Sequence, residues 1–157
     1  MDSLLSNSKS TFVTVQERKS FDFPPKVLYE NRYCNQDDFS VLVCGGKNKS
    51  NIVVDTVYKL KSSKFNCEKF ACMPNELYCC KTAIVNSDLF VLGGYSQNGE
   101  FNKSIIKLCN KTKTWSSKVQ LLLNHNYFCV CSFKKNLYLI YGTGKCFVYN
   151  LKNDKWF

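Results

Sequence analysis

The chain has 157 residues, 45% of them apolar and 15% aromatic, a composition that fits one folded β-rich domain and excludes an unstructured tail. Lysine and arginine outnumber aspartate and glutamate by 22 to 12, a net charge of +10, but the lysines are dispersed singly, so they read as turn and strand-edge residues and no nucleic-acid tract is expected. Ten cysteines without a Cys-x-x-Cys pair, beside one histidine, His125, exclude a zinc ribbon and a disulfide scaffold and point to reduced thiols in the cytoplasm.

Residues 1–35 share no pattern with the rest of the chain. The first ten carry no basic start before a long apolar core, which excludes a signal peptide, and no stretch reaches the ~20 apolar residues of a membrane span. Phe21-Asp22-Phe23-Pro24-Pro25 reads as extended or loop, because proline restricts itself and its predecessor. The region is expected to be a connector or a tail over an open sheet edge. Its one strand-like run, from Val27 towards Tyr33, is a candidate first strand for the unit after it.

From there a repeat takes over. Val41-Leu42-Val43-Cys44-Gly45-Gly46, Leu89-Phe90-Val91-Leu92-Gly93-Gly94 and Leu137-Tyr138-Leu139-Ile140-Tyr141-Gly142 align without a gap at a period of 48 residues. Each is an apolar run stopped by glycine, which reads as a buried strand ending where the backbone turns tightly or takes positive φ. The units are placed at 36–74, 75–123 and 124–157.

In the middle unit Cys79 to Val85, Leu89 to Leu92, Ser104 to Cys109 and Trp115 to about Gln120 read as four strands. They are separated by the Asn86-Ser87-Asp88 turn, a polar loop over 95–103 and the turn at 110–113. The first unit offers Val41 to Cys44 and Thr56 to Leu60, with Phe65 near the place of Trp115. The third offers Phe128 to Phe133, Leu137 to Ile140 and Cys146 to Leu151, with a fourth strand only beginning at Trp156. Seven cysteines (Cys44, Cys79, Cys80, Cys109, Cys129, Cys131 and Cys146) fall in strand-like runs, where the thiol acts as a small buried apolar group. Cys34, Cys67 and Cys72 fall nearer turns. Three Asn-x-Ser/Thr patterns, at Asn48, Asn102 and Asn110, are read as chance in so Asn-, Lys- and Ser-rich a chain.

An apolar strand, a diglycine, a variable loop, a tyrosine-bearing third strand (Tyr58, Tyr149) and a Trp about twenty residues after the glycines together resemble the kelch repeat, over roughly 36–157. The resemblance implies an all-β fold: a partial β-propeller of about three four-stranded antiparallel blades, not closed. Gly45, Gly46, Gly93, Gly94 and Gly142 would then be structural. Trp115 and Trp156 would fill the space between adjacent sheets. Tyr141 departs from the pattern at the first glycine of the third unit. Composition and length are also similar to the shortened kelch proteins of orthopoxviruses.

Kelch propellers bind partners through loops at one end, so Lys47, Asn48, Lys49, Tyr95, Ser96, Gln97, His125 and Asn126 are the candidate contact residues. Family members often place arginine at the start of the first strand, where this chain has Leu77 and His125, so recognition of an anionic motif does not carry over. BTB and BACK domains, which make many relatives ligase receptors, are absent from the sequence. No triad or metal set can be nominated, so a non-enzymatic protein-binding module without cofactor or membrane contact is expected, with self-association through open sheet faces. The alternative is a degenerate fragment of a larger kelch protein with no retained function.

Overall fold

The computed structural model describes residues 34–35, 40–61, 66–123 and 127–157, and the expectations placed on Val27–Tyr33, Phe65, His125 and Asn126 lie outside them. The described chain is all β: three four-stranded antiparallel sheets in sequence order, none closed on itself. Sheet I holds β1 (Cys34–Asn35), β2 (Ser40–Cys44), β3 (Thr56–Lys61) and β4 (Asn66–Cys72). Sheet II holds β5 (Lys81–Val85), β6 (Asp88–Leu92), β7 (Ile105–Leu108) and β8 (Trp115–Ser117). Sheet III holds β9 (Phe128–Phe133), β10 (Asn136–Tyr141), β11 (Cys146–Asn150) and β12 (Lys155–Trp156). Each is a simple meander, so every strand pairs with its sequence neighbour.

Strand ends follow local chemistry. Asn86 and Ser87, both at positive φ (51 and 68), form the two-residue turn that pairs Val85 with Asp88, a primed-type hairpin suited to the strand twist. Asp88 therefore opens β6 rather than completing the turn. Its carboxylate receives the Asn110 N–H at 2.9 Å and lies 2.7 Å from Lys107 Nζ, which fixes the far end of β7. The strand that Trp115 opens is shorter than expected, stopping at Ser117. Beyond it the Lys118 N–H still donates to Ile105 O in register with the ladder, but the Leu121 N–H donates to Lys103 O one residue out of register, as the chain crosses to sheet III.

The sheets stack face to face, and their alternation decides which residues meet. Ala83, Val85, Phe90, Leu92 and Ile105 of sheet II form one buried cluster with Leu121 and with Phe128, Leu137, Leu139, Tyr141 and Tyr149 of sheet III. The opposite face of sheet II contributes Leu89, Val91, Ile106 and Leu108 to a second cluster, shared with Val57, Met73, Leu77 and Cys80. Sheet II is thus buried on both faces. The first strands of II and III, β5 and β9, lie alongside each other.

Both tryptophans lie between sheets, but at the margins. Trp115 is half-buried against the cluster between I and II. Trp156 is half-buried against the cluster between II and III, where its ring tilts on Tyr149 with centroids 5.1 Å apart and its Nε1–H donates to Gln120 O. The Tyr149 hydroxyl donates to Asp154, whose carboxylate also lies 3.7 Å from Lys118 Nζ of the crossover. The two-residue β12 and the turn before it are therefore attached by side chains to the crossover that follows β8.

The cysteines depart from expectation. Cys34, Cys67 and Cys72 lie in strands, whereas Cys79, at positive φ, Cys80 and Cys109 lie just outside them. Cys80 is buried, but Cys72, Cys129 and Cys146 are exposed, because the pleat turns them away from the packed faces. None of the cysteines whose side chains are described is joined in a disulfide.

Candidate functional site

The two diglycines begin hairpin loops that repeat each other bond for bond. In loop I (residues 45–55) Lys47 bridges Val53, Val54 N–H donates to Gly46 O, Asn51 N–H donates to Asn48 O, and Asn51 sits at φ +62. In loop II (residues 93–104) the same positions hold a Tyr95–Phe101 bridge, Asn102 N–H to Gly94 O, Gly99 N–H to Ser96 O, and Gly99 at φ +79. The 48-residue period thus runs through the loops as well as the strands. Asn48 Oδ1 accepts the Ser50 and Ile52 N–H groups, and Ser96 Oγ accepts that of Glu100, so each tip is capped by its own side chain.

The crossover at 73–80 binds the two loops together. Gly46 N–H donates to Leu77 O at 2.8 Å, and Tyr78 exchanges both backbone hydrogen bonds with Tyr95. A Cβ on Gly45 would lie 2.1 Å from Leu77 O, and one on Gly94 would lie 2.9 Å from Tyr78 O. Both glycines are therefore dictated by the close approach of the crossover, as well as by φ of +61 and +90. Gly142 differs: its φ is not positive and nothing lies within 4 Å of a Cβ there. The third unit replaces the long loop with a tight turn over 142–145, closed by Gly144 N–H to Tyr141 O and Tyr141 N–H to Lys145 O. Gly142 therefore lacks the close approach that dictates Gly45 and Gly94.

Several candidate contact residues turn out to hold the platform together. Lys47 Nζ sits 4.3 Å above the Tyr78 ring, which tilts on Tyr95 (5.7 Å), which meets Phe101 edge-on (5.6 Å). Gln97 reaches from loop II to loop I, its Oε1 accepting the Val53 N–H at 2.6 Å and its Nε2 approaching Asn51 O at 3.5 Å. Asn48 and Ser96 are spent on the tips. What faces outward is Lys49, Ser50, Asn51 and the half-exposed Ile52 of loop I, with Gln97, Asn98, Gly99 and Glu100 of loop II. The exposed Tyr127 stands by the third turn, its carbonyl accepting the Gly142 N–H at 3.2 Å. Tyr78, Phe101, Val53 and Ile52 were not among the sequence candidates. Extending the alignment beyond the diglycines would have paired Val53 with Phe101 and Asn51 with Gly99.

The site's chemistry is that of a rigid polar rim. Among the described residues no group of three or more His, Cys, Asp or Glu side chains could hold a metal ion. The nearest thiols, Cys44 and Cys80, lie under the loops, where burial and then their mutual proximity push the Cys44 thiol well above its ordinary pKa, leaving it protonated.

No family model matches the sequence, and no curated protein does. Among solved structures the fold is similar to "Structure of YjhT", with a TM-score of 0.64 and 19% identity over 80% of this chain and 50% of that one. The chain thus spans about half the length of that structure, and at such identity the likeness is one of fold alone.

Proposed function

We propose that the chain is a non-enzymatic kelch-type interaction module, a partial propeller whose three sheets are blades and whose rim of loops 45–55 and 93–104 takes a protein partner. The observation that carries this reading is the cross-linked pair of hairpins. Two equivalent loops, pinned by Gln97 and by the crossover at Leu77–Tyr78, present tips with few ordering costs left to bear on binding. A rim that offers one apolar contact at Ile52 and charges of both signs at Lys49 and Glu100 suits a polypeptide surface better than a polyanion, despite the net charge of +10. The described cysteines, none of them in a disulfide, favour a reducing compartment such as the cytoplasm. Within the described residues no helix is long and apolar enough to cross a membrane.

The test is site-resolved cross-linking in cells, with a photoreactive residue at position 49, 52 or 98 and, as control, at position 86 in the turn at the opposite end of sheet II. The same partner protein captured from all three rim positions and not from 86 is the expected outcome. Equal capture at 86, or none at the rim, would dismiss the reading. A fragment without function is the alternative, favoured by the third unit, in which the long loop is gone and Gly142 is no longer required.

A further inference from the structure

The outer face of sheet III repeats a pattern that in sheet II is covered by the next sheet. Register places Cys129, Ile140 and Cys146 in one cross-strand row and Cys131, Tyr138 and Val148 in the next. Phe157 lies beside Val148 through a pair of backbone hydrogen bonds, and the Phe133 ring lies 6.5 Å from that of Tyr138. No charged side chain stands in the rows of Ile140 and Tyr138, in a chain of net charge +10; the row of Phe133 holds Asn136, Asn150 and Lys155. Phe133, Ile140 and Phe157 are 60%, 50% and 70% exposed. The positions are those of Ala83, Val85, Phe90, Leu92 and Ile105, which in sheet II are buried by the next sheet. A face of this build is covered, in this fold, by the opposite kind of sheet face.

That opposite kind is present once more, on the outer side of sheet I. Val41, Val43, Tyr58 and Leu60 occupy there the positions that Leu89, Val91, Ile106 and Leu108 hold in sheet II, with Cys67 in the place of Trp115 and the exposed Lys69 beside Tyr58 at the edge strand. Val43 is buried, while Val41, Tyr58 and Leu60 keep part of their surface open where their counterparts in sheet II have almost none.

We infer that two copies of this chain associate reciprocally, the outer face of sheet III in each packing on the outer face of sheet I in the other, so that the sheet stack continues from one copy into the next and both apolar faces are covered at once. The inference rests on the reading of the sheets as propeller blades and not on any partner at the loops. Closed reciprocal contact gives a dimer, whereas the same contact without closure would give a filament.

The native thiols supply the test, since Cys67 lies on the sheet I face and Cys129, Cys131 and Cys146 on that of sheet III. Light scattering on the full chain should give about twice its 18.1 kDa. A short bismaleimide should then join Cys67 of one copy to Cys129, Cys131 or Cys146 of another, as read by peptide mapping of a mixture of isotopically light and heavy chains. Tyr58→Asp and Ile140→Asp should each yield a monomer that still melts cooperatively. A monomeric parent, a ladder of higher oligomers, links only between sheet III thiols, or a dimer that survives Tyr58→Asp as a folded protein would each overturn the inference. Loss of rim cross-linking with the dimer intact would instead count against the loop reading alone.

Discussion

At the scale of single residues, glycines that look alike in sequence carry unequal weight. Gly45→Ala places a methyl group 2.1 Å from Leu77 O at a φ of +61, so the backbone must move or the crossover must detach. Left-handed strain of about 1–2 kcal/mol is the minimum cost, and the clash adds to it. Gly142→Ala meets nothing and needs no unusual φ, so its melting temperature should stay within about a degree or two of the parent, as expected of surface changes within ±0.5 kcal/mol. Parallel thermal melts decide the pair, and equal losses would contradict the placement of the crossover. The thiols divide in the same way. Hydrogen bonds from Thr112 hold the Cys109 thiol below its ordinary pKa, whereas burial raises that of Cys44 and of Cys67. Mass-resolved alkylation should therefore modify Cys109 at a lower pH than Cys67, and leave Cys44 unmodified until the chain unfolds. None of this is legible in spacing, because a cysteine in a strand-like run is buried or exposed according to which face the pleat gives it. Cys129 and Cys131 alternate with the buried Phe128 and the half-buried Val130, and so look outward.

At the scale of elements, the strands of sheets II and III are readable because apolar runs ending in glycine or a turn leave few alternatives. The third-unit strand Phe128 to Phe133 lies where its apolar run places it. The loops are less readable. Their composition is that of variable polar connections, yet their register is fixed by residues with no apolar signal, Asn48, Gln97 and Asn102, whose side chains replace missing backbone partners. Gln97→Ala should leave the partly buried Val53 N–H without its acceptor, a loss of about 1–2 kcal/mol seen first as faster exchange of that amide. Unchanged exchange at Val53 would mean that water replaces the glutamine. At the other end of sheet II, burial raises the Asp88 carboxyl, but the Lys107 ammonium and the Asn110 N–H outweigh it, so its pKa is lowered in the folded state. A depressed carboxylate contributes stability above its unfolded pKa, near 3.8, and loses that contribution as pH falls through the folded value. The parent and Asp88→Asn should differ in stability at pH 7 and converge in strongly acidic solution. A constant difference across that range would show that the ion pair contributes nothing.

At the scale of the molecule, stability should follow from which sheets have two covered faces. Stacked units of this kind are held by nearest-neighbour contacts, so each sheet is as stable as its own packing and that of its neighbours. Trp115 and Trp156 reinforce these contacts from the margin. Trp115→Ala should accordingly cost about 1–3 kcal/mol rather than the ~3–5 of a fully buried tryptophan. Sheet II lies between two buried clusters, with Val91, Leu92 and Ile105 wholly enclosed. Sheet III has one cluster and an open face, and its last strand is two residues long. In the dissociated chain, for which Ile140→Asp serves, amides of β6 and β7 should exchange only through global unfolding. Those of β10 and β11 should exchange through a smaller opening that leaves sheet II intact. Raising the concentration of the parent should protect β10 and β11 selectively, because the inferred association would cover the face that is otherwise free. Native-state hydrogen exchange resolves all three statements. Uniform protection of sheets II and III in the monomer would mean that the molecule unfolds as a single unit and that the open face carries no cost in stability.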